Sequence, residues 1–175
     1  MKRFLTYLVV AVTAVLTIAS CSEDKRKKAL LPNISGKAGE VIVVIDKGLW
    51  EGAVGTVLRD TLTADCPFLP QREPLYNLVD VAPSGFNNMF QIHRNIILVN
   101  MDSEVTEPGI VIRKDVWAAP QCVININAND AETAVTLIKE NSQKLITTLE
   151  QAERDRVIGG KLESLFRNCW LWTTG

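Results

Sequence analysis

Histidine is almost missing from this sequence: His93 is the only one in 175 residues. That scarcity excludes a histidine-rich zinc site and a helix bearing two metal-binding imidazoles, and it limits acid–base chemistry to one imidazole at most. A phosphate loop is missing as well. Gly36-Lys37-Ala38-Gly39 has a superficial likeness to one, but it precedes a predicted strand, whereas a phosphate loop follows its strand and opens a helix. A turn is the better reading. Gly48, Gly52 and Gly55 do follow that strand, where backbone amides can meet an anion. Their spacing matches neither nucleotide fingerprint, and close packing accounts for them. Asp60, Asp65, Glu73, Asp102, Glu104 and Asp115 are scattered, with no spacing that marks a hydrolytic carboxylate pair. No metal and no cofactor is called for. Internal repeats, low-complexity segments and a second membrane-span candidate are also absent.

What is present begins at the N-terminus. Lys2 and Arg3 form a positive segment ahead of an apolar run from Phe4 to Ile18, broken only by Thr6, Thr13 and Thr17. The run is short for a membrane span and has the length of a signal-peptide core. Ile18-Ala19-Ser20-Cys21 follows it directly: a branched aliphatic residue, two small residues and a cysteine. This is the pattern of a lipoprotein signal, in which diacylglycerol joins the cysteine thiol before the chain is cut ahead of it. Residues 1–20 are therefore expected to be removed and Cys21 to be lipidated. Each buried methylene contributes roughly 0.8 kcal/mol, so two or more acyl chains give stable anchoring.

Residues 21–30 read as a solvated tether. Glu23 and Asp24 after the cysteine resemble a surface-export signal of lipoproteins, and a plain soluble linker fits them equally well. The expected place is the cell envelope, as an outer-membrane lipoprotein either facing the periplasm or displayed at the surface. Removing residues 1–20 takes away two basic groups and no acidic ones, leaving 17 Lys and Arg against 20 Asp and Glu, a net charge of −3. Nothing in that balance points to nucleic acid. With 47% hydrophobic and 22% charged residues, the rest fits one compact domain.

Val41 to Ile45 is a continuous β-branched and aliphatic run bounded by Gly39 and Gly48, which predicts a buried strand at the centre of a sheet. Trp50, Val54, Val57, Leu58 and Leu62 recur at helical spacing and predict one helix over 50–63. Pro67, Pro70 and Pro74 mark a loop. Leu75–Val81, Asn95–Met101, Gly109–Arg113 and Gln121–Asn127 read as strands. Asn129, with Glu132 as a capping-box partner, opens the longest helix, which ends at Gly159-Gly160. The order predicts an α+β fold: a mostly antiparallel sheet with two main helices packed on one face.

Few residues invite chemistry. His93 adjoins Arg94 at the mouth of a predicted strand, where the two can meet an anion or His93 can act as a base; a structural histidine is the plainer reading. Cys66 and Cys122 form a candidate disulfide in an oxidising compartment, or either is a nucleophile beside His93. Trp50, Phe68, Phe86, Phe90 and Trp117 lie in or beside loops, where they either line a binding surface or pack into the core.

From Leu31 to Ile158 the chain resembles an uncharacterised family of Bacteroidetes lipoproteins, domain of unknown function 4837. The likeness rests on Leu31-Pro32-Asn33, Gly36-Lys37-Ala38-Gly39-Glu40, Asp65-Cys66-Pro67-Phe68-Leu69-Pro70-Gln71, Gly85-Phe86-Asn87-Asn88-Met89-Phe90, His93-Arg94-Asn95 and Asp115-Val116-Trp117-Ala118. It implies an envelope lipoprotein and no activity. Residues 159–175, with Cys169, Trp170 and Trp172, depart from it and read as a divergent tail from truncation or frameshift. The domain itself is expected at 31–158.

The function expected from these features is a non-catalytic interaction module on a lipid anchor. It would engage an envelope protein or glycan through the proline-rich loop and a surface of Phe86, Phe90, His93 and Arg94. The rival expectation is an envelope hydrolase using His93 with a cysteine or a carboxylate.

Overall fold

In the computed structural model, residues 30–66 and 70–173 are described, with side chains as far as 161. The signal at 1–20, Cys21 and the tether as far as residue 29, Phe68, and the side chains of Cys169, Trp170 and Trp172 lie outside the described residues. The unit that begins at Asn33 is built on five strands. In chain order they are β1 (Glu40–Val44), β2 (Asn77–Val81), β3 (Asn95–Met101), β4 (Gly109–Lys114) and β5 (Cys122–Ala128). The helices are α1 (Lys47–Glu51), α2 (Ala53–Leu62), α3 (Asn88–Gln91), α4 (Ala131–Glu140) and α5 (Ser142–Thr173).

The sheet is mixed and mostly parallel, which corrects the antiparallel expectation. Its order is β2-β1-β3-β5-β4, and only β4 runs antiparallel, against β5. Connection length explains the outcome. A parallel pair needs a crossover of roughly a dozen residues; residues 45–76 hold two helices, and 82–94 are just long enough. The short 102–108 link does not make a hairpin, because β5 inserts between β3 and β4. The 115–121 link alone makes an antiparallel return to a neighbouring strand. β1 lies inside the sheet as predicted, but β3 is its centre.

Strand alternation sends alternate residues to the two faces. Val41, Val43, Ile45, Ile97, Ile124 and Ile126 meet α2, α4 and α5 through Val54, Leu58, Leu62, Ala134, Ile138, Leu145 and Leu149. Three helices, not two, therefore cover this face. On the other, Ile42, Val44, Ile96 and Val123 are covered by Phe90 of the short α3 and by the loop side chains of Phe86, Val116 and Trp117. Phe86 and Trp117 pack edge to face, their centroids 5.6 Å apart and their planes at 75°. Asp115, at φ 55°, turns the chain out of β4, and its carboxylate accepts the Gln121 N–H at 2.9 Å. Asp is among the few residues that tolerate this left-handed conformation.

Both predicted long helices are broken. The first splits at Gly52, whose extended backbone ends α1 and starts α2. Gly55 then lets α2 slide beneath the Trp50 carbonyl, into space that a Cβ would occupy. Arg59 secures the joint, donating to the Trp50 carbonyl at 2.9 Å and lying 4.6 Å over its ring. The second splits at Asn141, whose side chain donates to the Leu137 carbonyl at 2.9 Å and ends α4. The N-cap of α4 is Asp130 rather than Asn129; its carboxylate accepts the Thr133 N–H at 2.7 Å, and that bond holds it below the usual carboxylate range. α5 continues through Gly159 and Gly160, so these glycines do not end it.

Two helical glycines provide a test of opposite sign. Gly55→Ala is expected to destabilise by about 1–3 kcal/mol through overpacking against Trp50. At Gly48 a Cβ meets nothing, and Gly48→Ala is expected to stabilise by about 0.5–1 kcal/mol. Urea unfolding of both variants reads the signs; equal effects would refute the tight α1–α2 joint.

Candidate functional site

Buried polar groups gather where β1, β3 and β5 begin and α5 crosses their ends. The turn Ser35–Gly39 leads into β1 with Gly36 at φ 89° and Gly39 at φ 74°, conformations open to glycine at little cost. Here the Glu40 carboxylate accepts the Lys37 N–H at 3.0 Å, and Glu40 N–H donates back to the Lys37 carbonyl at 3.2 Å. His93, at the mouth of β3, is buried: Nε2 lies 3.2 Å from Glu40 Oε2 and Nδ1 3.2 Å from the Asn95 carbonyl. The Lys37 N–H, then His93, hold the Glu40 carboxyl below its usual range.

Glu153 on α5 is the hub. Its Oε1 accepts from Asn95 Nδ2 at 2.8 Å and more weakly from Gly39 N at 3.4 Å, and its Oε2 lies 3.3 Å from Arg94 Nη2. Arg156, one turn along, lies 3.1 Å from Oε1 through Nη1, an ion pair not aligned as a hydrogen bond. Its other nitrogens are well placed: Nη2 donates to the Arg94 carbonyl at 2.7 Å and to Asn95 Oδ1 at 3.0 Å, and Nε to the Pro120 carbonyl at 3.0 Å. Burial pulls the Arg156 guanidinium below its ordinary value, and Glu153 opposes that shift. Gln121 closes the far side, donating to the Gln91 and His93 carbonyls at 2.6 and 2.7 Å.

This arrangement forms a clasp that ties the starts of β1, β3 and β5 to α5. Of the predicted surface, His93 and Arg94 are drawn into the clasp, while Phe86 and Phe90 turn onto the sheet; the four do not form an exposed patch. No bond joins Cys66 to Cys122. Cys122 is buried at the start of β5, and burial pushes its thiol up, which disfavours the thiolate a nucleophile needs. Among the described residues no group of three or more His, Cys, Asp and Glu is arranged to hold a metal ion.

Beside the clasp runs an open groove of about 470 Å³, walled by Gly39, Leu75, Tyr76, Glu150, Val157 and Ile158 among others. Val157 and Ile158 are 69% and 56% exposed, unusual for aliphatic residues on a helix whose Leu145 and Leu149 are fully buried. Tyr76 donates weakly to the Ile146 carbonyl at 3.5 Å; burial, then Glu150 and Glu153, push its hydroxyl well above the usual phenol range.

Sequence reasoning overlooked Glu40, Asn95, Gln121, Glu153 and Arg156. One signal was available: extending the Leu145, Leu149, Ala152 stripe by helical spacing lands on Glu153 and Arg156. Charges on a buried stripe require partners.

Fold and site together define an α+β domain whose mixed sheet is closed at one end by a polar clasp. The chain belongs to the family described as Domain of unknown function (DUF8532), whose model matches residues 34–160. That match overturns the resemblance to domain of unknown function 4837. Comparison with curated proteins and with solved structures finds no match.

Removing the hub tests the clasp. Glu153→Ala leaves Arg94 and Arg156 facing no carboxylate and is expected to destabilise by about 3 kcal/mol, the lower end for a broken buried pair because Glu153 keeps some exposure; an effect below about 0.5 kcal/mol in urea unfolding would refute it. Glu40 sets an acid limb. Since its folded carboxyl titrates below its unfolded one, its stabilisation is full above the ordinary glutamate range near about pH 4.3 and is lost as pH falls through the lowered value. Glu40→Gln is expected to flatten that limb in unfolding measured across acid pH.

Proposed function

We propose that this chain is an envelope lipoprotein anchored through acyl chains on Cys21, and that its folded domain is a non-catalytic interaction module. The anchor rests on the Ile18-Ala19-Ser20-Cys21 pattern behind a short apolar run. Among the described residues no helix is long and apolar enough to cross a membrane, so the anchor, in this reading, supplies the attachment.

The observation that carries the module reading is the position of His93. The sole imidazole is 6% exposed and has both ring nitrogens against partners inside the fold. A general base must reach a substrate proton at hydrogen-bond distance, and both nitrogens of this ring are turned to Glu40 and Asn95 inside the fold. The groove between Tyr76 and Val157 offers instead an apolar floor with Glu150, Glu153 and Arg154 beside it, a form suited to an envelope protein segment. Glycan binding through the Phe86–Arg94 segment is less favoured, because its aromatic rings are turned onto the sheet.

Two measurements test the proposal. Mass spectrometry of the mature N-terminus is expected to find acylated Cys21, and Cys21→Ser to release the protein from membranes; cleavage elsewhere would overturn the anchor. Photo-crosslinking in intact cells from position 157 is expected to give a defined adduct that Tyr76→Ala weakens, whereas a probe at exposed Thr56 should give none. Equal adducts from both positions would count against the groove.

A further inference from the structure

Asn125 stands in the middle of β5, with Val123, Ile124 and Ile126 around it. Strand alternation puts it on the same face as Val123, the face opposite α5. The residue is only 8% exposed, and among the described residues its side-chain amide makes no hydrogen bond. Asparagine is disfavoured in strands, and a buried amide left unpaired destabilises the fold. A valine, like its neighbours, would suit the strand better. The amide therefore points to a ligand rather than to the fold.

The residues around Asn125 form a small patch beyond the aromatic roof. In the strand register Asn125 lies opposite Leu98 of β3 on one side and Val111 of β4 on the other. Leu98 is half-buried and Val111 is 42% exposed. Two residues along β5, Asn127 shares the face and lies opposite Asn100. Asn100 donates from Nδ2 to Asn127 Oδ1 at 2.9 Å, which engages the Asn127 carbonyl and leaves its N–H groups to donate elsewhere. Arg113 follows Val111 on the same face of β4; it is exposed and makes no ion pair among the described residues.

We propose that this patch binds an extended, acidic peptide segment of a partner protein, which lies along β5 with a backbone amide paired to Asn125 and a carboxylate on Arg113. A carboxamide complements a peptide group, since it gives an N–H to a carbonyl and accepts an N–H at its oxygen. Side chains on one face of a strand recur every two residues, about 6.6 Å apart. Peptide groups that face one way along an extended chain recur at the same interval. Asn125 and Asn127 thus meet two successive amides of one segment, the first with both its groups and the second through N–H alone. Leu98 and Val111 wall that segment with aliphatic surface. A sugar chain has no such amide repeat, and the rings it would stack on, Phe86 and Phe90, are turned onto the sheet. Arg113 lies opposite Val123, so the carboxylate belongs at the roof end of the segment. The site rests on neither the lipid anchor nor the groove.

The probes are two capped pentapeptides of alternating serine and valine, one ending in glutamate and one in lysine, together with chitotriose. Each is titrated onto the ¹⁵N-labelled full chain in detergent. The glutamate peptide is expected to shift the side-chain amide signals of Asn125 and Asn127 and to bind about tenfold more tightly than the lysine peptide at low salt. Arg113→Glu is expected to reverse that preference. Asn125→Val is expected to abolish the shift at Asn127 while making urea unfolding about tenfold less favourable, so that lost binding is not lost folding. No shift with either peptide, equal affinity for the two, or shifts given by chitotriose alone would each overturn the proposal. So would an Asn125→Val chain less stable than the wild type, because the amide would then serve the fold.

Discussion

The structure depends most on one carboxylate, that of Glu153. It reaches from α5 to the Gly39 turn, to Asn95 at the mouth of β3 and to two arginines, tying together elements far apart in sequence. Apolar packing by Leu145 and Leu149 holds α5 against the sheet but does not fix its position along the helix axis. The hydrogen bonds of Glu153 and Arg156 fix it, because directional polar contacts tolerate little sliding. Arg156 adds the carbonyls of Arg94 and Pro120, so the strand ends and the helix share one register.

The elements were largely legible in the sequence, and their arrangement was not. β3 falls on Asn95–Met101 as its uninterrupted apolar run predicts, and β5 within one residue of its predicted position. Continuous apolar character signals burial on both faces, which is characteristic of parallel strands; the sheet was nevertheless expected to be antiparallel, from the succession of strands between the two helices. The 82–94 crossover holds only a short 3₁₀ turn and the four-residue α3, so no periodicity announced it. Gly52 already weakened the case for one helix over 50–63, whereas the break at Asn141 left no mark because the apolar stripe runs straight through it.

The site was legible only in part. His93 and Arg94 were singled out for their chemistry, and both do belong to the polar centre, but as a buried and a half-buried member of a clasp. Their partners Glu40 and Glu153 lie 53 and 59 positions away in the chain, a pairing that one sequence cannot reveal. Phe86 and Trp117 read as loop aromatics and are in fact part of the roof of a sheet face on which the only described helix is the four-residue α3. With no long helix to cover that face, aromatic residues in the loops do so.

The two outermost strands carry a further consequence. β2 is only five residues long and places exposed Asp80 near its middle, while β4 ends on the basic pair Arg113 and Lys114. Short, charged margins discourage another chain from adding itself to the sheet. A protein concentrated on a crowded envelope, in the proposed setting, meets its own copies at high local density. There Asp80 and the Arg113-Lys114 pair would set charge against pairing between the sheet edges of neighbouring copies.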